Sequence, residues 1–283
     1  MILVTGATGH LGRLVVQGLL EKLPAQQVAV AVRDPHKAAD LAALGVQVRR
    51  TDYNQPETVR AALAGVDKVL LVSSNAMGER LRQHGTVVDA AREAGVKLLA
   101  YTSILRADTS GLALAQEHLG TERLIRDSGV PFVFLRNGWY LENYTGSLAP
   151  AVAHGALVGS SGEGRIAAAS RADYAAAAVR VLTTPGHEHQ VYELGGDTAF
   201  TRAELAAELS RQTGKTIVYQ DLPPARYQGV LEGAGLPTPF ARILVDSELG
   251  AGRGELDDRS GTLARLIGHP TTRLAEGVRA ALR

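Results

Sequence analysis

The sequence predicts an α/β fold, a doubly wound parallel sheet accompanied by a smaller, mainly helical lobe. Three observations predict it. Short apolar runs alternate with longer segments of helical spacing through the first half of the 283 residues. The runs are continuous, which marks strands covered on both faces. After Arg136 the rhythm breaks, and proline-punctuated helical segments dominate the end.

Taken in order, residues 2–4, 27–32, 46–50, 68–72, 98–101 and 132–135 read as six strands. Between them, 11–22, 58–63, 81–94 and 115–127 carry helical spacing. Right-handed crossovers place such helices on both faces, with ligands beyond the carboxyl ends of the strands. Residues 137–164 are rich in Gly, Ser, Tyr and Asn and weakly periodic. A helix over 172–182 and a strand over 191–194 return to the sheet. From Thr201 onward the reading is mostly helical, broken by Pro223-Pro224, Pro237, Pro239 and Pro270. The expected division is 1–136 with 171–195 for the sheet domain, and 137–170 with 196–283 for the smaller lobe over the sheet edge.

Composition narrows the function classes. With 45% hydrophobic residues, a chain of this length builds a core without staples. It has no cysteine, which excludes disulfides, thiolate nucleophiles and cysteine-ligated metals. Eight histidines show no paired ligand spacing, and no metal is expected. The formal charge is +1, and its 25 arginines and 5 lysines form no run of five. Neither nucleic acid nor an anionic membrane is expected as a partner. No apolar stretch approaches the roughly 20 residues of a membrane span. Met1 leads straight into the first strand, so a cytoplasmic location is expected.

The most informative segment is Thr5-Gly6-Ala7-Thr8-Gly9-His10-Leu11-Gly12, directly after the first strand and opening the first helix. Glycines there permit a tight turn and bring backbone amides to a pyrophosphate at a helix N-terminus. This context predicts a Rossmann-type NAD(P) site, with Gly12 allowing close helix–strand packing. Arg33 ends the second strand about 20 residues later, where an arginine meets the 2′-phosphate of NADPH. Asp34 follows it and keeps NADH open. Asp52-Tyr53 after the third strand are placed to meet the adenine edge, or serve as turn residues. Ser73-Ser74-Asn75 after the fourth line the ribose and nicotinamide path, or serve as turn residues.

None of the eight tyrosines has lysine four residues on, so Tyr-x-x-x-Lys acid–base catalysis is absent. Alcohol oxidation and sugar-nucleotide epimerisation lose their base. Val4-Thr5-Gly6-Ala7-Thr8-Gly9-x-Leu11-Gly12, Val32-Arg33-Asp34-Pro35-x-Lys37-Ala38 and Leu135-Arg136-Asn137-Gly138-Trp139-Tyr140-x-Glu142-Asn143-Tyr144 resemble the NmrA-like atypical short-chain dehydrogenases/reductases. The likeness continues through Ser170-Arg171-Ala172-Asp173-Tyr174, Val191-Tyr192-Glu193-Leu194 and Gly268-His269-Pro270-Thr271-Thr272. It points to the bacterial NAD(P)H:quinone oxidoreductase type 2 branch, with triphenylmethane reductases as near relatives.

The resemblance implies NADPH-dependent reduction of a quinone or other planar aromatic by direct hydride transfer, without flavin. A quinone accepts hydride readily and its reduced oxygen takes a proton from water, so the protein mainly positions the reactants. Asn137, Gly138 and Trp139 follow the strand end where the nicotinamide belongs and are candidate cofactor residues. Tyr140 and Asn143 are candidate donors to the substrate oxygen; Trp139 and Tyr140 read equally as core anchors. Arg171 is a candidate phosphate or quinone contact, or a surface ion pair. His118 sits where lysine-bearing relatives carry their catalytic lysine, and reads as a proton donor or a structural histidine. Two alternatives stay open: a non-catalytic NAD(P) sensor acting on a regulatory partner, and a reductase of another planar acceptor such as a cationic dye. Monomer and homodimer both remain compatible.

Overall fold

Every residue of the first two strands is buried, as a sheet with helices on both faces requires. The computed structural model describes the whole chain except Asn75, Met77 and Ser147. The elements run β1 (Ile2–Thr5), α1 (His10–Leu20), β2 (Val28–Val32), α2 (Ala39–Ala43), β3 (Gln47–Arg50), α3 (Pro56–Leu63), β4 (Lys68–Leu71), α4 (Arg80–Glu93), β5 (Leu98–Ile104), α5 (Ala113–Asp127) and β6 (Phe132–Asn137). Then come α6 (Glu142–Thr145), α7 (Ala149–His154), β7 (Ala156–Gly159), α8 (Arg171–Thr183) and β8 (Gln190–Leu194). The chain ends with α9 (Arg202–Thr213), β9 (Val218–Asp221), α10 (Pro224–Gly233), α11 (Thr238–Gly252), α12 (Thr262–Ile267) and α13 (Leu274–Ala281).

Among the described residues seven strands form one sheet in the order β3-β2-β1-β4-β5-β6-β8. The pairs from β3 to β6 are all parallel. The order reverses at β1, whose neighbours are β2 and β4, and a ligand crevice opens beyond the carboxyl ends at such a switch point. This is the Rossmann-type fold expected. Leu3, Val69, Leu99 and Phe134 face the helices α3 and α4 in one apolar cluster. On the other face α1 lies against α8, where a Cβ at Gly18 would come within 2.9 Å of Val179.

The chain divides into two units: Met1–Ala107, Gln116–Asn137 and Arg171–Tyr192, and Asp108–Ala115, Gly138–Ser170 and Glu193–Arg283. Residues 108–115, left with the sheet in the sequence reading, group with the second unit. The Ser110 hydroxyl donates to Glu255 at 2.9 Å and the Ala113 amide to Asp246 at 2.8 Å. The second unit is mainly helical, as expected, and also holds two short strands. β7 and β9 pair in parallel as a separate two-stranded sheet. Each has only four residues, and β9 is mostly exposed, so neither shows the apolar run that signals a buried strand. Among the described residues no helix is long and apolar enough to cross a membrane.

Candidate functional site

The turn after β1 is built by its glycines. Gly6 has φ +60°, a left-handed conformation that disfavours side chains. The Gly9 amide donates to the Gly6 carbonyl at 2.9 Å. A Cβ at Gly12 would collide with that same carbonyl, so helix and turn touch only because Gly12 has no side chain. Gly9 caps α1 without any side-chain hydrogen bond, and the helix has no acidic residue in its first turn. Its leading N–H groups and partial positive charge are thus left to an external anion.

Next to this turn lies a groove of about 390 Å³ at the carboxyl ends of β1 to β4. Gly6, Thr8, Gly9, Arg33, Asp52, Ser73 and Ser74 line it, together with Tyr53 and Asn54. Arg33 is exposed and makes no hydrogen bond or ion pair among the described residues. The neighbouring Asp34 carboxylate accepts from the His36 amide at 3.0 Å and so caps the following turn. Burial pushes the Tyr53 hydroxyl up to about 12, so it stays protonated at the groove wall, although Arg33 pulls the other way.

The Ser73-Ser74 corner is tied down from behind. The Ser73 amide donates to Thr102 at 2.8 Å, the Ser74 amide to His84 Nε2 at 3.1 Å, and Arg80 Nε donates to the Ser74 carbonyl at 2.7 Å. His84 is fully buried; burial first and Arg80 second hold its pKa at about 3. It is neutral at physiological pH.

His118, on α5, is 7% exposed, and its Nδ1 pairs with the Tyr101 hydroxyl at 2.8 Å. Burial, then Arg80 and His84, keep its pKa well below the usual range. A general acid must carry a proton at working pH, and this environment withholds it. One turn further along α5, Glu122 meets Arg136 through two bonds, Nε to Oε1 at 2.9 Å and Nη2 to Oε2 at 2.7 Å. The Ser103 hydroxyl donates to the same carboxylate at 2.7 Å. This bidentate, doubly buried pair fixes the end of β6 just before Asn137. Asn137 is itself 5% exposed, with its Oδ1 buried and unpartnered among the described residues.

Gly138, Trp139, Tyr140 and Asn143 belong to the second unit. Gly138 is buried, Trp139 and Tyr140 are half-buried, and Asn143 is exposed in the short α6. Tyr140 bridges to Ala169, and the Leu141 amide donates to the Ala169 carbonyl at 2.8 Å. The Tyr144 ring packs edge-on against Phe200 and beneath the Arg202 guanidinium at 5.3 Å. Arg171 is the first residue of α8 and half-buried.

The groove therefore gathers Gly6, Thr8, Gly9, Arg33, Asp52, Ser73 and Ser74. It does not gather the whole of the glycine segment. Ala7, Leu11 and Gly12 are buried beneath the turn, and His10 is exposed outside the groove lining. Asn75 lies outside the described residues. Sequence reasoning missed Asn54 and Gln83, which also line the groove. A signal existed for Gln83: its neighbours Arg80 and His84 occupy the buried stripe of α4 with Val87, Val88 and Ala91, where apolar residues are expected. An uncapped helix start, a glycine turn that a Cβ would fill and an unpaired cation across the groove fit a phosphorylated dinucleotide. Among the described residues no three His, Asp or Glu side chains are placed to hold a metal ion.

The chain is 52% identical to quinone oxidoreductase 2 of Escherichia coli, over 98% of this chain and 97% of that one. The crystal structure of the NADPH-dependent quinone oxidoreductase from Escherichia coli complexed with NADPH superposes with a TM-score of 0.98, at 51% identity, covering 100% of both chains. The Citrobacter sp. triphenylmethane reductase complexed with NADP(H) gives 0.96 at 42% identity, over 99% of this chain and 100% of that one. Residues 1–263 match the NmrA-like family. With its glycine turn, arginine-bearing groove and near-complete likeness to these reductases, the chain belongs to the NmrA-like family.

Proposed function

We propose that this protein is an NADPH-dependent quinone reductase that works by direct two-electron transfer, without flavin, in the cytoplasm, as a monomer or homodimer. The observation that carries the reading is the 52% identity, over nearly the full length, to a quinone oxidoreductase. When bound, the nicotinamide supplies the hydride. The chain's own residues bind and orient. The turn over residues 6–12 and the start of α1 hold the pyrophosphate. Arg33 takes the 2′-phosphate, Asp52 the adenine edge, and Ser73, Ser74 and Asn75 the adjoining ribose path. Asn137, Gly138, Trp139 and Arg171 complete the cofactor site, while Tyr140 and Asn143 donate to the quinone oxygen.

In this reading His118 supplies no proton. Its burial and its bond to Tyr101 make it a structural group, and water protonates the reduced oxygen. Both relatives reported above are named as reductases, which favours turnover over a sensing role. The testing experiment follows nicotinamide absorbance in purified protein given p-benzoquinone or a cationic triphenylmethane dye. The reading expects quinone to be the better acceptor. Dye reduction without quinone reduction would replace it with the dye reductase reading.

A further inference from the structure

The groove wall formed by Ser74 is held by a single turn of α4, and that turn brings a further group to the groove. The Ser74 amide can only donate, so His84 Nε2 is the accepting nitrogen and the imidazole proton sits on Nδ1, 3.0 Å from the Thr121 hydroxyl. Arg80, which donates to the Ser74 carbonyl, is anchored by Glu117 at 3.0 Å. Between Arg80 and His84 in sequence stands Gln83, which lines the groove. The Ser74 hydroxyl oxygen accepts from the Ala76 amide at 3.0 Å and lies 2.9 Å from Gln83 Oε1. Its one proton goes to Gln83, which makes Oε1 the acceptor. Nε2 then has no protein partner among the described residues, and its two N–H donors stay unspent in a residue that lines the groove.

We propose that Gln83 is a base-reading contact for the adenosine half of the dinucleotide, donating from Nε2 to a ring nitrogen of adenine. Arg80 and His84 act through Ser74 as positioning residues. The proposal rests on the NADPH reading above. The same groove holds Arg33, assigned to the 2′-phosphate, and Asp52, so Gln83 shares its space with the adenosine end. Adenine offers ring nitrogens as acceptors, whereas its exocyclic amine would oppose a donor. Oε1 already accepts from Ser74, so the Nε2 donors are what Gln83 adds for the ligand.

The test is calorimetric titration with adenosine 2′,5′-bisphosphate and, separately, with NADPH. Gln83→Leu should weaken both by the same factor, about two- to tenfold for one neutral hydrogen bond, with the melting temperature unchanged. Gln83→Glu should weaken both further, because it sets an acceptor and a negative charge against the ligand. His84→Leu should also weaken both, and His84→Gln, whose oxygen can accept from the Ser74 amide, should recover most of the loss. Unchanged affinity for the bisphosphate in the Gln83 variants overturns the proposal, whether or not NADPH binding falls. Failure of the wild type to bind either ligand would instead remove the NADPH reading on which it stands.

Discussion

Replacing Arg33 with alanine removes the one positive side chain that the groove offers at the end of β2. Nothing in the described structure competes for its guanidinium, so the whole of its charge is available to a 2′-phosphate. A hydrogen bond to a charged group contributes about 1.5–3 kcal/mol. At about 1.4 kcal/mol per decade, the loss in affinity is about one to two orders of magnitude. Arg33 is exposed, and solvent screening puts the expected value at the lower end, about tenfold, shrinking as salt is raised. NADH has no phosphate at that position and should bind both proteins alike. Fluorescence titration of wild type and Arg33→Ala with each cofactor at two salt concentrations measures the affinities that decide this. Equal NADPH affinity in the two proteins would refute the assignment. So would an equal loss for NADH, because the arginine would then be acting on something other than the phosphate.

Three further outcomes follow from the buried polar groups. His118→Ala should lower turnover by less than about tenfold and leave the pH–rate profile near neutrality unchanged; a loss of about a hundredfold or more with a vanished titration would restore the histidine as general acid. His84 is held neutral when folded but takes a proton near its ordinary value when unfolded. Its contribution to stability is therefore complete above about pH 6.5 and lost progressively as pH falls toward 3. Melting temperatures across that range should fall less steeply in His84→Gln, and parallel curves would count against the buried neutral imidazole. Glu122→Ala removes a bidentate, fully buried partner of Arg136 and should cost about 1.5–3 kcal/mol or more in urea unfolding; a cost below about 0.5 kcal/mol would count against that pair.

The sheet and the phosphate turn were legible because their signals are local. Residues 2–12 contain strand, glycine turn and helix start in one stretch, and Arg33 ends an unbroken apolar run. What holds the groove's far wall was not legible. Ser74 is shaped by Arg80 and His84, whose buried positions on α4 follow only from how that helix meets β4 and α5. The pairing of Tyr101 with His118 likewise joins residues 17 apart on different elements, and the burial around it, with Arg80 and His84 nearby, holds neutral a histidine in the expected catalytic position. Nothing local in the sequence pairs Glu122 with Arg136; the fold buries both and brings them together. β7 and β9 were missed because their pairing depends on partners about sixty residues apart with no alternation to announce them.

If the polypeptide alone carries hydride from NADPH to a quinone, no flavin takes part. The most direct measurement is an anaerobic single turnover of purified protein, shown by its absorption spectrum to be free of flavin, with NADPH and p-benzoquinone in equal amounts. The account predicts that one NADPH disappears for each hydroquinone formed, with no flavin spectrum at any time and no change when flavin is added. Absence of NADPH oxidation until flavin is supplied would contradict it.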